Sequence, residues 1–377
     1  MNIQESDILN LIITNTYTNQ RKLAEVSGHS NRSIRQLISE GYLDESIHPT
    51  EKAISEIQES APRRAVILAA GFGMRMVPIN TETPKGLLEV HGEPLIERQV
   101  RQLHEAGIHE IYVVVGFMKE QYEYLIDDYG VELIVNADYA SKNNLHSLYL
   151  AREHLANAYI IPCDIWCDCN PFQKHELYSW YMVSDLVDND SSVRVNRKLE
   201  LTTVSHSSGG NSMIGISYLL KKDADIIRER LIHFDADPQY YNKFWEETLY
   251  EKGKMMIPAK VAHASDIVEI NTFEQLRELD SHSNHLQSEI LEIAAAALHT
   301  EPDNISNITV LKKGMTNRSF LFDCNSTKHI MRIPGEGTDQ LINRREEAQV
   351  YQVIKDKGYG EFQFGHGLPC GGRCDHP

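Results

Sequence analysis

The sequence AVILAAGFGMRMVPINTETPKGLLEVHGEPLI, residues 65–96, holds the most informative pattern in the chain. Its first residues are apolar and predict a buried β-strand that ends just before Gly71. Gly71 and Gly73 let the backbone turn sharply and bring its N–H groups close to a ligand. Arg75 then supplies a guanidinium group, and Lys85 supplies an ammonium group. A glycine loop with two cations after the first strand suits an oligophosphate ligand.

Two common phosphate-binding loops are excluded. The GxxxxGK[ST] motif of Walker-type loops does not occur in the sequence. The dinucleotide-binding pattern GxGxxG fails because its last position is Met76. The pattern that remains, L-A-A-G-x-G-x-R followed by P-K, resembles the nucleotidyltransferases that activate sugars and alcohol phosphates.

Strand-like and helix-like stretches alternate through residues 62–283. The predicted strands are 65–70, 110–115, 131–135 and 158–162, and the predicted helices are 94–106, 119–129 and 145–154. This alternation predicts an α/β fold with a mostly parallel sheet and helices on both faces. We therefore expect the ligand at the carboxyl ends of the strands.

A second pattern narrows the family. Gly116 follows the strand-like YVVV, and NADYASKNNLHSLYLA spans residues 136–151. With the glycine loop, these motifs resemble the CTP:phosphocholine cytidylyltransferases. The resemblance covers residues 64–280 and is clearest over 65–166. It implies a Rossmann-like nucleotidyltransferase core that uses CTP, phosphocholine and Mg²⁺.

The resemblance also implies which residues contact the nucleotide. The residues expected to act in catalysis are Arg75, Lys85 and Asp164. The expected nucleotide-binding residues are Leu68, Ala69, Ala70, Gly71, Gly73, Arg75, Lys85, Asn136, Asn144 and Ser147. For Asn136, Asn144 and Ser147, helix capping and hydrogen bonding at the sheet edge remain an equally open interpretation.

Asp164 follows the predicted strand YIIP and is the expected Mg²⁺ ligand. An Asp at the carboxyl end of a central strand is well placed to hold Mg²⁺ between nucleotide phosphates. The resemblance implies a second carboxylate in a pattern like E-I-D, but here the third residue is Asn271. Asn271 offers a carbonyl oxygen without charge, so Glu269 or Asp266 could assist. The three cysteines near Asp164 do not match a common zinc spacing and are not expected ligands.

The pocket for the alcohol is predicted from chemistry and from the resemblance. A quaternary ammonium has no hydrogen-bond donor, so its recognition needs aromatic faces and carboxylates. Trp245 and Glu246 match the family region that lines this pocket, and Tyr181 is a further candidate. The segment 190–192 lacks an aromatic residue expected in the phosphocholine enzymes. A related aminoalkyl phosphate or phosphonate therefore stays open as the substrate.

Residues 1–61 predict a small helical domain with the outline of a winged helix-turn-helix. Thr18 would cap the second helix, and Ser30–Ser39 would be the recognition helix. The side chains that this helix would present to DNA are Asn31, Arg32, Arg35 and Gln36. The segment nevertheless carries nine acidic and five basic side chains, against the usual basic footprint of a DNA-binding domain. A dimerisation or regulatory role is the alternative.

Residues 284–377 resemble the small lobe of choline kinase-like phosphotransferases, an α+β unit. Its predicted elements are an Ala-rich helix at 285–299, strands at 308–311, 319–322 and 329–333, and a helix at 343–355. By resemblance, Gly314–Asn317 is the loop over the ATP phosphates. Arg332 stands where kinases carry their nucleotide-binding lysine, and Glu346 or Glu347 could pair with it.

The kinase resemblance is incomplete. Kinase chemistry needs a catalytic-loop Asp and a metal-binding Asp. After Lys357 the sequence has neither an H-x-D…N motif nor a metal-binding Asp followed by a large lobe. We therefore expect no phosphorylation by that mechanism. The final residues include His366, Cys370, Cys374 and His376, whose spacing leaves zinc binding open.

Length and charge exclude several classes of protein. The chain has 377 residues, enough for two or three domains. Its net charge of −17 opposes non-specific binding to nucleic acids or anionic membranes by the chain as a whole, and leaves open a local basic patch. Its longest stretch without a polar side chain is Ala65–Met74, whereas a membrane-spanning helix needs about 20 residues. The start MNIQESD has no secretory pattern, and the six cysteines are sparse. We expect a cytoplasmic protein with reduced thiols.

Two functions follow from these patterns. The first is an Mg²⁺-dependent transfer of CMP from CTP to phosphocholine, which gives CDP-choline and pyrophosphate. The second is a transcriptional regulator that senses CTP or an amino-alcohol phosphate through a degenerate transferase domain. The sequence leaves the oligomeric state open.

Overall fold

The computed structural model describes residues 2–15, 19–76, 78–79, 83–205, 208–286, 288–312 and 317–334. The α-helices in these ranges are α1 (Ile3–Thr14), α2 (Gln20–Ser27), α3 (Asn31–Ser39), α4 (Glu51–Ser60), α5 (Leu95–Glu105), α6 (Tyr124–Tyr129), α7 (Asn144–Leu150), α8 (Lys221–Asp235), α9 (Phe273–Leu279) and α10 (Glu289–Ala297). None of these helices combines the length and the apolar character needed to cross a bilayer.

The β-strands of the same ranges are β1 (Arg64–Ala69), β2 (Glu89–Val90), β3 (Glu93–Pro94), β4 (Glu110–Val115), β5 (Glu132–Val135), β6 (Ala158–Pro162), β7 (Ile165–Cys167), β8 (Trp180–Asp188), β9 (Val193–Val195), β10 (Leu201–Thr203), β11 (Gly210–Leu219), β12 (Tyr250–Glu251), β13 (Lys254–Met255), β14 (Ala259–Ala262), β15 (Ile267–Glu269), β16 (Ile305–Lys312), β17 (Asn317–Cys324) and β18 (Thr327–Pro334). The chain divides into two compact units. One unit is Met1–Phe72 with Leu95–Glu269, and the other is Gly73–Pro94 with Ile270–Pro377.

A sheet forms the centre of the first unit. Its described strands follow the order β14-β8-β11-β6-β1-β4-β5, and β1 pairs in parallel with both β4 and β6. β11 runs antiparallel to β6 and to β8, while β14 runs parallel to β8. Val66, Val114, Leu148 and Ile160 belong to its buried core. The predicted α/β fold with a mostly parallel sheet is confirmed.

The predicted strands and helices of residues 65–162 are present, and the ends of several of them differ from the prediction. The predicted helix 119–129 is a 3-10 turn at Lys119–Tyr122 followed by α6. The predicted strand before Asp164 ends at Pro162, whose ring nitrogen cannot donate to a neighbouring strand. Asp164 therefore lies in a turn between β6 and β7.

Two smaller sheets complete the first unit. β7 pairs with β15 in antiparallel fashion, and β9, β10, β12 and β13 form a sheet in the order β12-β13-β10-β9.

Helices α1 to α4, which we name the helical module, share a core of their own. Leu9, Leu23, Ile34 and Leu37 are fully buried there, and Leu177 from the rest of the first unit packs against this cluster. The prediction that Thr18 caps α2 is wrong. The capping residue is Asn19, whose side chain accepts a hydrogen bond from the Lys22 N–H over 2.8 Å.

Helices α3 and α4 are joined by a loop closed by a single antiparallel bridge between Leu43 and Pro49. The winged helix-turn-helix interpretation of the module stays a prediction.

The second unit holds the hairpin β2–β3, helices α9 and α10, and an antiparallel sheet in the order β16-β17-β18. Glu274 of α9 accepts from the Ile308 N–H over 3.1 Å, and Arg277 donates to the Ile305 carbonyl oxygen over 3.0 Å. The strands predicted at 308–311, 319–322 and 329–333 lie within β16, β17 and β18, and the helix predicted at 285–299 is the shorter α10.

Several sequence predictions lie outside the described residues. They are the body of the loop Gly314–Asn317, the helix 343–355 with Glu346 and Glu347, and the tail residues His366, Cys370, Cys374 and His376. The kinase-like interpretation of residues 284–377 stays a prediction.

Candidate active site

The predicted phosphate loop starts at the carboxyl end of β1. Leu68, Ala69 and Ala70 are buried in the sheet, and Gly71 is exposed. A Cβ on Gly116 would lie 2.8 Å from the Ala70 carbonyl oxygen, which explains the glycine at the end of β4. Because β1, β4 and β6 run in parallel, their carboxyl ends share the edge where α/β proteins bind ligands.

Two cations and an amide lie together in the second unit. Gly73 has a φ of 63°, a left-handed conformation that favours glycine, and the Cβ of Lys85 lies 3.6 Å from where a Gly73 side chain would start. Lys85 Nζ and Arg75 Nη2 each donate to Oδ1 of Asn271 over 2.7 Å. The structure thus brings together the two cations that the sequence assigned to one phosphate.

Asn271 holds the two cations without neutralising them. An amide oxygen is neutral and has two lone pairs, and both lone pairs are used by these two donors. The amide adds no negative charge of its own to the pair, and guanidinium and ammonium groups are common phosphate-binding groups. The predicted role of Asn271 as a metal ligand would require its oxygen to release at least one of the donors.

Asp164 and Glu269 are placed by the β7–β15 ribbon of the first unit. Asp164 is half-buried, and the next residue, Ile165, lies opposite Glu269 in the antiparallel register. Asp266 lies at the other end of the ribbon, where its carbonyl oxygen accepts from the Asp168 N–H over 2.9 Å. This register favours Glu269 over Asp266 as the carboxylate that assists Asp164.

The chemistry of these donors fits a magnesium ion that binds with a nucleotide. Mg²⁺ is commonly held by one or two carboxylates together with waters and substrate phosphates, and Asp164 and Glu269 offer such oxygens. Across the described ranges, no cluster of three or more His, Cys, Asp and Glu side chains could hold a metal. Burial raises the pKa of the Cys167 thiol to about 12, which opposes metal binding by this cysteine.

Asn136 and Ser147 form a buried pair. Asn136 Nδ2 donates to Ser147 Oγ over 3.0 Å, and its Oδ1 accepts from the Asp138 N–H over 2.9 Å. The Asn136 backbone N–H donates to the Val115 carbonyl oxygen over 2.7 Å, which ties this segment to the end of β4. These hydrogen bonds support the structural interpretation of the pair. Its place beside the carboxyl ends of the strands is compatible with a nucleotide contact as well.

Asn144 connects the same segment to the predicted alcohol pocket. It is the first residue of α7, and its Oδ1 accepts from the Trp245 N–H over 2.8 Å. The preceding residue, Asn143, caps α7 through its side chain, and its backbone N–H donates to the Tyr241 carbonyl oxygen over 2.6 Å. The two segments are therefore fastened to each other at two points.

Sequence reasoning missed a third connection between these segments. His146 is buried on α7, and its Nδ1 lies 2.6 Å from Oδ1 of Asp235 at the end of α8. Lys142 Nζ donates to the same oxygen over 3.2 Å, and Asp138 Oδ2 lies 3.5 Å from His146 Nε2. The only available signal was a histidine among apolar residues in the helical pattern LHSLYL.

The three residues predicted for the alcohol pocket lie together in the first unit. Tyr181 Oη donates to Glu246 Oε1 over 2.9 Å, and the Tyr181 and Trp245 rings are 6.0 Å apart. Trp245 is fully buried, so its indole also belongs to the core. Within the described part of the chain, Trp245 Nε1 and Glu246 Oε2 are buried and make no hydrogen bond.

The charge state of Glu246 is sensitive to its surroundings. Burial raises the pKa of the Glu246 carboxyl to about 7, the charge of Glu269 raises it as well, and the Tyr181 hydrogen bond opposes both. A cation placed beside this carboxyl would stabilise its ionised form. The arrangement can therefore pair a carboxylate and aromatic rings with an ammonium group.

Comparison with known proteins locates the core among nucleotidyl-transferring enzymes. Residues 65–170 match the MobA-like NTP transferase domain. The choline-phosphate cytidylyltransferase of Streptococcus pneumoniae is 32% identical over 221 residues, which are 58% of this chain and 96% of that protein. The 2-aminoethylphosphonate cytidylyltransferase of Lancefieldella rimae is 30% identical over 232 residues, with 57% and 91% covered.

A solved structure agrees with the sequence matches. The CTP:phosphocholine cytidylyltransferase from Streptococcus pneumoniae superposes with a TM-score of 0.53 at 29% identity. The match covers 58% of this chain and 98% of that chain. It confirms the Rossmann-like fold predicted for the core.

Proposed function

This chain belongs to the cytidylyltransferase family of nucleotidyltransferases, and from that we propose that it transfers CMP from CTP to phosphocholine, giving CDP-choline and pyrophosphate. One observation supports this transfer above all: Lys85 Nζ and Arg75 Nη2 both donate to the neutral Oδ1 of Asn271, each over 2.7 Å. Two preorganised cations suit the charge that develops on a phosphate undergoing displacement. The product would supply choline for cell-surface polymers.

The chemical step needs positioning and charge stabilisation more than a base. A phosphate oxygen of phosphocholine attacks the α-phosphorus of CTP in line, and the bond to the bridging oxygen of the β-phosphate breaks, so that pyrophosphate leaves. The attacking phosphate is already anionic, so no strong general base is required. Lys85 and Arg75 neutralise the phosphates. Mg²⁺, held by Asp164 and Glu269, would add charge stabilisation.

The alcohol pocket supports an amino-alcohol substrate. Tyr181, Trp245 and Glu246 supply aromatic faces and a carboxyl group in one place. A specific observation also favours a second candidate substrate, an aminoalkyl phosphate or phosphonate with a primary ammonium. Glu246 Oε2 is a buried acceptor that makes no hydrogen bond among the described residues, and a primary ammonium can donate to it, whereas a trimethylammonium cannot.

A pyrophosphate-release assay tests this function directly. The full chain is given each of the four NTPs with phosphocholine, phosphoethanolamine or 2-aminoethylphosphonate. We expect release with CTP and at least one of these acceptors, dependent on Mg²⁺ and nearly abolished in Asp164→Asn. A folded protein that releases no pyrophosphate from CTP with any acceptor would contradict the proposal.

A regulatory function through DNA is the second candidate. Asn31, Arg32, Arg35 and Gln36 are all exposed on α3, which supports the predicted recognition face. Retardation of DNA by the full chain, with and without CTP, tests it beside the transfer assay. We place either activity in the cytoplasm, because six cysteines are sparse for a chain of this length and suit reduced thiols.

A further inference from the structure

A cavity of about 570 Å³ lies in the first unit, between the helical module and the segment that precedes β8. One wall is the face of α1 that carries Asp7, Asn10 and Thr14, which are spaced at helical intervals. The other wall is the segment 173–178. None of the residues proposed for nucleotidyl transfer lines this cavity. Its volume is in the range of small-molecule sites.

The α1 wall presents hydrogen-bond acceptors. Asn10 Oδ1 is buried and makes no hydrogen bond to any described residue. Asp7 accepts from Tyr178 Oη over 3.1 Å and lies 3.5 Å from His29 Nε2, and it has further lone pairs. An ammonium group, which has several donors, could donate to both Asn10 and Asp7.

The opposite wall presents a cation and an imidazole. Lys174 is exposed, and its ammonium group makes no ion pair with any residue that the structure describes. His175 Nδ1 is buried without a hydrogen-bond partner in the described ranges. Lys174 suits an anion such as a phosphate, and His175 adds a donor to it in the tautomer that carries its proton on Nδ1.

The remaining charges on this wall are already paired. Glu176 is buried and accepts from Tyr159 Oη over 2.9 Å, from Trp180 Nε1 over 2.9 Å and from Lys260 Nζ over 3.3 Å. Lys260 Nζ also lies 4.0 Å from the centre of the Trp180 ring. Glu176 and Lys260 therefore cancel each other. Asp7 on one wall, with the His29 imidazole 3.5 Å away, and Lys174 on the other wall are opposite charges across the cavity.

We propose that this cavity binds a small zwitterion, with a primary ammonium on Asp7 and Asn10 and a phosphate, phosphonate or carboxylate on Lys174 and His175. Separated opposite charges on a cavity with no net charge match a ligand of that kind. Such a ligand would bridge α1 and the segment 173–178. Binding would therefore hold the helical module against the transferase part of the unit. The fraction of chains held in this way would depend on the concentration of the ligand.

Calorimetric titration of the full chain with phosphoethanolamine tests the site. We expect Lys174→Ala and Asn10→Leu each to weaken the affinity at least tenfold, the scale of one lost charge-assisted hydrogen bond. Lys222→Ala, which removes an exposed lysine of α8 outside the cavity, should bind as the wild type does. Ethanolamine and inorganic phosphate, each with half of the ligand's charges, should bind at least tenfold more weakly.

The kinetics of the transfer reaction distinguish binding in this cavity from binding at the catalytic site. Both cavity variants should keep the wild-type KM for CTP and for the acceptor phosphate. Wild-type affinity for phosphoethanolamine in both Lys174→Ala and Asn10→Leu would overturn the proposal. So would a rise in the acceptor KM in parallel with the lost affinity, because it would assign the binding to the catalytic site. Lys174 is exposed, so its variant keeps the test valid if Asn10→Leu fails to fold.

Discussion

Oδ1 of Asn144 accepts a hydrogen bond from the backbone N–H of Trp245 over 2.8 Å. This bond joins the segment predicted to contact the nucleotide to the segment predicted to contact the alcohol. The backbone bond from Asn143 to Tyr241 and the contact between His146 and Asp235 reinforce the connection. A displacement of either segment is therefore transmitted to the other.

We expect Asn144→Ala to raise the KM for both CTP and the acceptor phosphate by about tenfold. The change removes one hydrogen bond and leaves the Trp245 N–H without its acceptor, at a cost of about 1–3 kcal/mol. Steady-state kinetics with each substrate varied in turn measures both values. Asn144→Asp keeps the acceptor and serves as the control. A change confined to one of the two KM values would contradict the coupling.

Lys85→Ala should lower kcat by about 10²-fold or more in a protein that remains folded. Its ammonium is half of the cation pair on Asn271, and a lost transition-state charge partner has an effect of that scale. Pyrophosphate release and a thermal melt together check rate and folding. Lys222→Ala, at an exposed lysine of α8, is the matched control. Near-normal turnover would remove Lys85 from the catalytic machinery.

Asn271→Asp should lower the Mg²⁺ concentration needed for half-maximal rate. An added carboxylate raises the affinity of a hard-cation site, because ligand charge sets that affinity. The measurement is a Mg²⁺ titration of wild type and variant at saturating CTP. If the new carboxylate instead stays paired with Lys85 and Arg75, the Mg²⁺ requirement will be unchanged or higher, and the metal role of position 271 is then wrong.

Stability should fall as the pH rises through neutrality because of Glu246. Its pKa is raised from 4.5 to about 7 by burial, so the folded protein keeps a proton that the unfolded chain releases from about pH 4.5 upward. The contribution is fully present below pH 4.5 and is lost as the pH passes 7. Urea unfolding at pH 5, 6, 7 and 8 measures it. Glu246→Gln should lack this component, and identical pH profiles for both proteins would refute the assignment.

Trp245 should affect both stability and acceptor choice. It is fully buried, so Trp245→Ala is expected to lower the free energy of unfolding by about 3–5 kcal/mol. Trp245→Phe keeps an aromatic ring, and we expect it to raise the KM for phosphocholine more than that for phosphoethanolamine. An indole face contributes about 0.5–2 kcal/mol to a bound ammonium. Equal effects on every substrate would make Trp245 a core residue only.

Local patterns made much of the fold predictable. The apolar run before Gly71 predicts a strand because a strand buried on both faces reads as continuous apolar residues, and β1 spans Arg64–Ala69. The ends of elements were harder, since they depend on hydrogen bonds with distant residues. Asn19 rather than Thr18 caps α2, and the helix predicted at 119–129 is a 3-10 turn followed by the shorter α6.

The alternation of strands and helices, the glycine loop and the residue types of the site could all be predicted from the order of the residues. These features depend on neighbours within one or two turns, so they can be read along the chain. Tertiary structure alone decided that Lys85 and Asn271 meet, although they are 186 positions apart. It also decided that Glu269 rather than Asp266 lies opposite Ile165, because strand register is a property of pairing and not of composition.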